Sequence, residues 1–164
     1  MIDAIKKRRA IREYLAEPVS DDSLEEILLS AQYAPSANAL YPWELLIVKS
    51  DETKDLLSKV SPWAAAAKLA AAVIVVIGHE TESPYWVEDG AAATTQMWLA
   101  AVERGLGACW IQIRNNNSAE KEVKDILDIN DERRVLCLLA IGAPAKNEPE
   151  HDEVLDRSKV KNER

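Results

Sequence analysis

The hydrophobic residues near the start of the chain recur with helical spacing. After Ser20, a candidate N-cap, apolar side chains stand three and four positions apart: Leu24, Ile27, Leu28 and Ala31. This spacing predicts a helix that Pro35 stops, followed by a loop over 35–42. A shorter helix is predicted before it, because Ile2 and Ile5 fall on one apolar stripe of MIDAIKKRRA.

Four later segments have the apolar and β-branched composition of strands: 43–50, 71–78, 107–113 and 134–142. The second, AAVIVVIG, is apolar at every position and does not alternate. A continuous apolar run predicts a strand that is covered on both faces.

Helices are predicted between these strands, over 51–60, 61–70, 85–105 and 118–129. Ser61 followed by Pro62 favours a helix start, and Ser118 is a candidate N-cap. The helix over 85–105 is long and rich in small residues, which indicates a central helix with close neighbours.

Two helices precede the first strand, and strands and helices alternate afterwards. This order predicts an α+β fold around one mixed sheet. A length of 164 residues suits one domain, 1–164, in which 145–164 forms a polar C-terminal extension.

Charge and composition argue against two kinds of partner and indicate a location in the cell. With a formal net charge of -8, most of the surface would repel a phosphate backbone, so no nucleic-acid partner is predicted. No apolar run is long enough to span a bilayer, and no signal peptide is evident, so no membrane partner is expected. Cys109 and Cys137 are interpreted as reduced core thiols, and the location is predicted to be cytoplasmic.

The usual fingerprints of nucleotide and metal sites are missing. The chain contains neither a Gly-x-Gly-x-x-Gly turn nor a phosphate loop, and its histidines, His79 and His151, lack ligand spacing. We therefore predict no metal ion and no activated nucleophile. Any chemistry is expected to come from a cofactor.

Positive charge is nevertheless concentrated at one place. The segment KKRRAIREY, from Lys6 to Tyr14, has five basic residues in its first seven positions. By itself this pattern is typical of a solvated helix end, and a small bound anion is the alternative.

Four segments in order decide between these interpretations: RRAIREY, APSANALYPWELLIV, EDGAAATTQMWLAAVERGLGACWI and LLAIGAPA. Together they resemble the FMN-dependent nitroreductase family over nearly the whole chain. The resemblance implies a three-layer fold with a mostly antiparallel sheet. It also implies a homodimer with FMN bound at the subunit interface.

The resemblance assigns the first motif to the FMN phosphate. Arg8, Arg9 and Arg12 occupy the positions that wrap the phosphate in such proteins. Ala10 replaces the usual serine, so only its backbone can contribute. Lys6 and Lys7 are interpreted as solvated or as attracting an anionic substrate.

The second motif departs from the family pattern. Pro35, Ser36, Ala37 and Asn38 are expected to contact the flavin of the partner subunit. Ala39 and Tyr41 stand where the family has Asn and Gln, which leaves Asn38 as a substitute donor. The alternative is an ordinary loop between a helix and a strand.

Two further groups complete the expected site. Backbone amides around Cys109, Trp110 and Ile111 are expected to face the flavin ring, with a core role as the alternative for Trp110. Arg157 or Lys159 in the extension is expected to reach the phosphate, unless both belong to a salt-bridged surface.

The implied activity is that of an FMN-dependent oxidoreductase. NADH or NADPH would reduce the flavin, and a nitroaromatic or quinone-type acceptor would then be reduced in a ping-pong cycle. The alternatives are a dehalogenase, an ene reductase, a flavin-cleaving relative or a flavin-binding protein without turnover. No lid insertion is present, so the pocket is expected to be open or shaped by Trp63, Tyr85 and Trp86.

Overall fold

Four antiparallel strands form the centre of the fold in a computed structural model that describes residues 2–146, 148–151 and 154–161. The strands are β1 (Trp43–Val48), β2 (Ala72–Gly78), β3 (Gly107–Gln112) and β4 (Arg134–Gly142), in the order β1-β2-β4-β3. A parallel bridge joins Ala10 to Ala108 at the edge of β3. The predicted polar extension lies partly outside the described residues.

Six helices surround this sheet within the described residues. They are α1 (Asp3–Lys7), α2 (Asp21–Gln32), α3 (Asp51–Leu57), α4 (Ala66–Leu69), α5 (Trp86–Glu103) and α6 (Asn117–Leu127). Short 3₁₀ turns form at Ala37–Ala39 and Arg157–Lys159. Within the described residues, no helix is both long and apolar enough to cross a membrane.

Alternate residues of β2 belong to two separate hydrophobic cores. Val73 and Val75 pack with side chains of α3, α4 and α6, whereas Ile74 and Val76 pack with α2 and α5. All seven residues of β2 are buried. The strand is therefore covered on both faces, as its continuous apolar sequence predicted, and the fold has three layers.

Hydrogen bonds at the helix starts agree with one predicted cap and correct two predictions. The Ser20 hydroxyl accepts from the backbone N–H of Ser23, which confirms the predicted N-cap of α2. At α6 the cap is Asn116 rather than Ser118, because the Asn116 side chain accepts the backbone N–H of Ala119. The helix predicted from Ser61 begins only at Ala66, and the buried Ser61 hydroxyl has no described partner.

The segment after α1 is attached to the ends of β3 and β4. The backbone N–H of Ile11 donates to Ala108, and the Tyr14 hydroxyl lies 3.1 Å from the carbonyl oxygen of Ala140. Gly107 permits this approach, because an added Cβ would lie 2.6 Å from Cγ1 of Ile11. The basic segment therefore follows the open edge of β3.

Candidate functional site

The arginine segment contains guanidinium groups that lack carboxylate partners within the described residues. The guanidinium carbon of Arg8 lies 4.6 Å from the ring centroid of Trp98 on α5. Nη1 of Arg9 is buried and has no hydrogen-bond partner there. A buried N–H donor without a partner lowers stability, because it has lost its hydrogen bonds to water. An anion bound at Arg9 would accept this hydrogen bond and recover the lost stability.

The other members of the motif contribute differently. Arg12 is exposed, and its Nη1 donates to the carbonyl oxygen of Ala10 at 3.1 Å, so its side chain bends back onto its own segment. Ala10 has no polar side chain, and its backbone forms the bridge to Ala108. Arg8 and Arg9 are therefore the two side chains best placed to hold an anion.

Part of the C-terminal extension lies beside this segment, through residues that the sequence did not indicate. The backbone N–H of Ala145 donates to Glu13, and that of His151 donates to Lys6. Nε2 of His151 is 2.9 Å from the carbonyl oxygen of Arg8. Ala145 and His151 therefore help to fix the backbone of the arginine segment.

Beyond this contact, the edge of β3 presents backbone amides. N–H and C=O groups of one residue point to the same side of an antiparallel strand, and the side alternates along the strand. Ala108 points outward, since its oxygen accepts from Ile11, whereas the N–H of Ile113 donates inward to Leu136 on β4. The amides of Trp110 and Gln112 consequently lie on the outer edge.

Cys109, Trp110 and Ile111 were predicted to face the flavin ring, but only Trp110 has its amide on the outer edge. The amides of Cys109 and Ile111 point toward β4, and both side chains are buried. Trp110 is half-buried, and its Nε1 donates to the side-chain oxygen of Gln112 at 2.9 Å. Gln112 is thus an edge residue that the motif comparison missed and that strand register identifies.

Burial also makes the two thiols inert. It raises the pKa of Cys109, against a smaller opposing effect of the Arg12 charge. Burial raises the pKa of Cys137 to about 12. Neither cysteine is therefore a thiolate nucleophile at neutral pH.

The Pro-Ser loop is fixed to the first turn of α5. The Ser36 hydroxyl donates to Oδ2 of Asp89 at 2.7 Å, and the backbone N–H of Ala37 donates to the same carboxylate. Ser36 Oγ also accepts from the backbone N–H of Tyr41 at 2.8 Å. Asp89 is only 5% exposed, so a buried carboxylate determines the shape of the loop.

This loop contains unusual backbone conformations. Asn38, Ala39 and Tyr41 have φ values of 54°, 53° and 49°, in the left-handed region. Such a conformation costs roughly 1–2 kcal/mol for residues other than glycine, with asparagine penalised least. The contacts with Asp89 offset this strain and leave Asn38 exposed to solvent.

The arginine segment and the Pro-Ser loop contact different parts of α5. Arg8 lies on Trp98, whereas the loop contacts Asp89, nine residues earlier. A rise of 1.5 Å per residue separates these positions by about 14 Å. The two predicted parts of the site are therefore not brought together at one point of a single chain.

The remaining predicted residues lie on the surface. Arg157 and Lys159 form an exposed 3₁₀ turn in which Lys159 Nζ is 3.8 Å from Asp156. These contacts match the surface alternative. Trp63 is 83% exposed and Tyr85 is 51% exposed, whereas Trp86 is only 5% exposed and packs in the core.

Comparison with known proteins establishes the family. The model of the nitroreductase family matches residues 5–79 and 58–143. The chain belongs to the nitroreductase family. An Archaeoglobus fulgidus member, provisionally named an NADH dehydrogenase/NAD(P)H nitroreductase, is 32% identical over an alignment of 157 positions that covers 93% of this chain and 90% of the relative.

A solved structure and a more distant relative extend this result. The FMN-dependent nitroreductase from Clostridium difficile superimposes with a TM-score of 0.96, at 32% identity, over 100% of this chain and 99% of that one. The iodotyrosine deiodinase of Thermotoga neapolitana is 24% identical over an alignment of 175 positions that covers 92% of each chain. The predicted fold class is confirmed, as is the resemblance to nitroreductases.

Proposed function

We propose that this nitroreductase-family protein is an FMN-dependent oxidoreductase that uses NADH or NADPH to reduce nitroaromatic or quinone-type acceptors. The observation that carries the proposal is the buried Nη1 of Arg9, which has no acceptor among the described residues. It lies in the segment that holds Arg8 and runs along the open edge of β3.

The residues present fit FMN. Its phosphate group would be held by the guanidinium groups of Arg8 and Arg9, with backbone contacts from Ala10. The outer amides of Trp110 and Gln112 would donate toward the ring along the same edge. When bound, FMN supplies the acceptor and donor of hydride that this chain's own side chains lack.

The protein's contribution is to bind, orient and exclude water. No described side chain is assigned as an acid or base. Amides on a rigid strand edge are preorganised donors, which stabilise developing negative charge without reorganisation.

A homodimer is part of the proposal. The Pro-Ser loop lies about 14 Å along α5 from Trp98, so Pro35 to Asn38 would complete the site of a second subunit. Apolar side chains exposed on α1, α2 and this loop support such an interface: Ile2, Ile5, Leu29, Tyr33 and Leu40. The assignment of Arg157 or Lys159 to the phosphate, and of 1–164 to one domain, remains a proposal.

A reducing compartment is also proposed. Cys109 and Cys137 are free, buried thiols, which supports the cytoplasm as the place of action.

The test begins with the purified protein. Titration with FMN should quench flavin fluorescence, and NADH or NADPH should bleach the bound flavin without oxygen. A quinone or nitroaromatic should then restore the oxidised spectrum. Arg104→Gln is a matched control, because Arg104, unlike Arg9, is paired with a carboxylate, that of Glu26. A dimeric protein that does not bind FMN would contradict the proposal.

Reductive dehalogenation is a second candidate, favoured by the similarity to the iodotyrosine deiodinase over most of both chains. Release of iodide from iodotyrosine by the reduced protein, faster than reduction of quinones, would favour this reaction.

A further inference from the structure

The indole ring of Trp98 on α5 supports the guanidinium group of Arg8. The guanidinium carbon lies 4.6 Å from the ring centroid, within the range of cation–π attraction. Both side chains are half-buried, so the attraction is stronger than between fully exposed groups. Since Arg8 has no carboxylate partner within the described residues, the ring is the contact that orients its guanidinium group.

The backbone of Arg8 is fixed independently of this ring. Its N–H donates to the carbonyl oxygen of Ala4 at 2.9 Å, where α1 ends. Its own carbonyl oxygen lies 2.9 Å from Nε2 of His151. With the backbone fixed on both sides, the direction of the long side chain depends on Trp98. Loss of the ring should therefore leave the backbone in place and release the guanidinium group.

Packing fixes the position of the Trp98 ring. The ring packs against the core that the sheet shares with α2 and α5. Its Nε1 is buried and has no hydrogen-bond partner within the described residues. A phenyl ring at this position would keep an aromatic face beside Arg8 and would break no described hydrogen bond. Substitution by phenylalanine thus separates the ring face from the indole N–H.

Arg12 is not held in this way. It is exposed, and its Nη1 donates to the carbonyl oxygen of Ala10. An arginine that is free to change rotamer loses conformational entropy when it binds an anion, whereas one that is already ordered loses less. Arg8, ordered on the ring, is therefore a preorganised donor of the arginine segment.

We propose that Trp98 is a positioning residue that sets the preference of this protein for a phosphorylated flavin over an unphosphorylated one. This inference rests on the proposed function and deepens it, because it assigns the phosphate preference to a contact between α5 and the arginine segment. The ring keeps the planar donors of Arg8 in one orientation, which suits the bidentate recognition of a phosphate group. Trp98 acts through Arg8 and does not itself bind the phosphate.

The test compares FMN with riboflavin, which has the same ring and ribityl chain but lacks the phosphate. Both dissociation constants are measured by flavin fluorescence titration of the flavin-free full chain without a reductant, so turnover is not needed. The wild-type protein should bind FMN at least tenfold more tightly than riboflavin, because hydrogen bonds between charged groups are strong. Trp98→Leu should lower this ratio about fivefold, and Trp98→Phe only about twofold.

A double-mutant cycle determines whether Trp98 acts through Arg8. Arg8→Gln should lower the ratio at least as far as Trp98→Leu, and the two substitutions together should lower it no further than Arg8→Gln alone. If Trp98→Leu does not fold, the same cycle is run with Trp98→Phe, whose twofold effect should also vanish in Arg8→Gln. Additive losses in the cycle overturn the inference.

Leu99→Ala is the matched control for packing. Leu99 is the next residue of α5 and is half-buried like Trp98, but it has no aromatic ring. Its truncation should weaken the binding of both flavins equally and keep the wild-type ratio. If Trp98→Leu behaves in the same way, its role is packing and the inference is wrong. A ratio that falls as far in Trp98→Phe as in Trp98→Leu also overturns it, because the indole N–H would then be the group that matters.

The outcomes separate this inference from the proposed function. A wild-type protein that binds FMN and riboflavin equally, and whose bound flavin is bleached by NADH or NADPH, would refute the role of Trp98 and leave the oxidoreductase proposal intact. A wild-type protein that binds neither flavin contradicts both.

Discussion

The Ser36 hydroxyl donates a hydrogen bond of 2.7 Å to the buried carboxylate of Asp89, 53 positions later in the chain. This contact joins the Pro-Ser loop to the first turn of the central helix. The same carboxylate accepts the backbone N–H of Ala37, so one side chain satisfies two donors of a strained loop.

Replacing Asp89 should therefore weaken the attachment of the Pro-Ser loop to α5. In Asp89→Ala, the donors of Ser36 and Ala37 lose their acceptor, and the free energy of unfolding should fall by about 2–3 kcal/mol. Asp89→Asn keeps one carbonyl acceptor and should lose less. Urea unfolding measures both effects, and Glu88→Gln, an exposed neighbour on the same turn, is the control. Equal stability of Asp89→Ala and the wild-type protein would show that the loop does not depend on this carboxylate.

Arg9→Leu should separate stability from cofactor binding. Leucine removes a buried donor that has no described partner, so the apoprotein should unfold at an equal or higher urea concentration. Affinity for FMN should fall at least tenfold, because a charged hydrogen bond contributes about 1.5–3 kcal/mol. Flavin fluorescence titration measures the affinity.

Arg104→Leu is the matched variant. It breaks the pair with Glu26 and should leave FMN affinity unchanged. If Arg9→Leu binds FMN as tightly as the wild-type protein does, the phosphate does not lie at Arg9.

Local patterns were sufficient to predict most of the fold. The apolar run of β2 and the spacing after Ser20 are each determined by neighbours in sequence, and both elements formed as predicted. The pair Ser61–Pro62 wrongly predicted the start of a helix. An N-cap requires its hydroxyl to accept a backbone N–H, and the buried Ser61 hydroxyl has no such partner among the described residues.

The site was less predictable, because its geometry depends on contacts distant in sequence. Asp89 looked like an ordinary acidic residue in a first helical turn, which the helix dipole favours. Its contact with Ser36 appears only when α5 packs beside the loop. Likewise, the outward direction of the Gln112 amide depends on how β3 pairs with β4, and motif spacing does not contain that information.

The ion pair between buried Glu120 and partly exposed Arg134 should make stability depend on pH. Burial opposes ionisation of Glu120, but hydrogen bonds from Arg134 and from the backbone N–H of Val135 outweigh it and lower its pKa below the usual 4.5. A lowered pKa in the folded state stabilises the protein above the unfolded pKa. This stabilisation is lost as the pH falls through the folded pKa.

Glu120→Gln should consequently be destabilised by about 1.5 kcal/mol at pH 7, because the hydrogen bonds from Arg134 and Val135 lose a charged acceptor, although Arg134 keeps its pair with Glu80. The difference from the wild-type protein should shrink as the pH falls below 4.5. Urea unfolding at pH 7 and pH 4 measures the difference, with Glu122→Gln, exposed on the same helix, as the control. A difference that stays constant with pH would exclude this linkage.

Gly107→Ala should displace the arginine segment from the edge of β3. The new Cβ would lie 2.6 Å from Cγ1 of Ile11, and such overpacking typically costs about 1–3 kcal/mol. Because Ile11 donates its backbone N–H to Ala108, the strain should move Arg9 and weaken FMN binding. Fluorescence titration and urea unfolding report the two effects.

A second substitution in the same variant identifies the cause. Ile11→Ala alone should destabilise the protein by leaving a cavity, but combined with Gly107→Ala it removes the overlap. The double variant should therefore lose less stability than the sum of the losses in the two single variants. Its loss of FMN affinity should likewise be smaller than that sum. Strictly additive losses would mean that Gly107 matters for a reason other than its contact with Ile11.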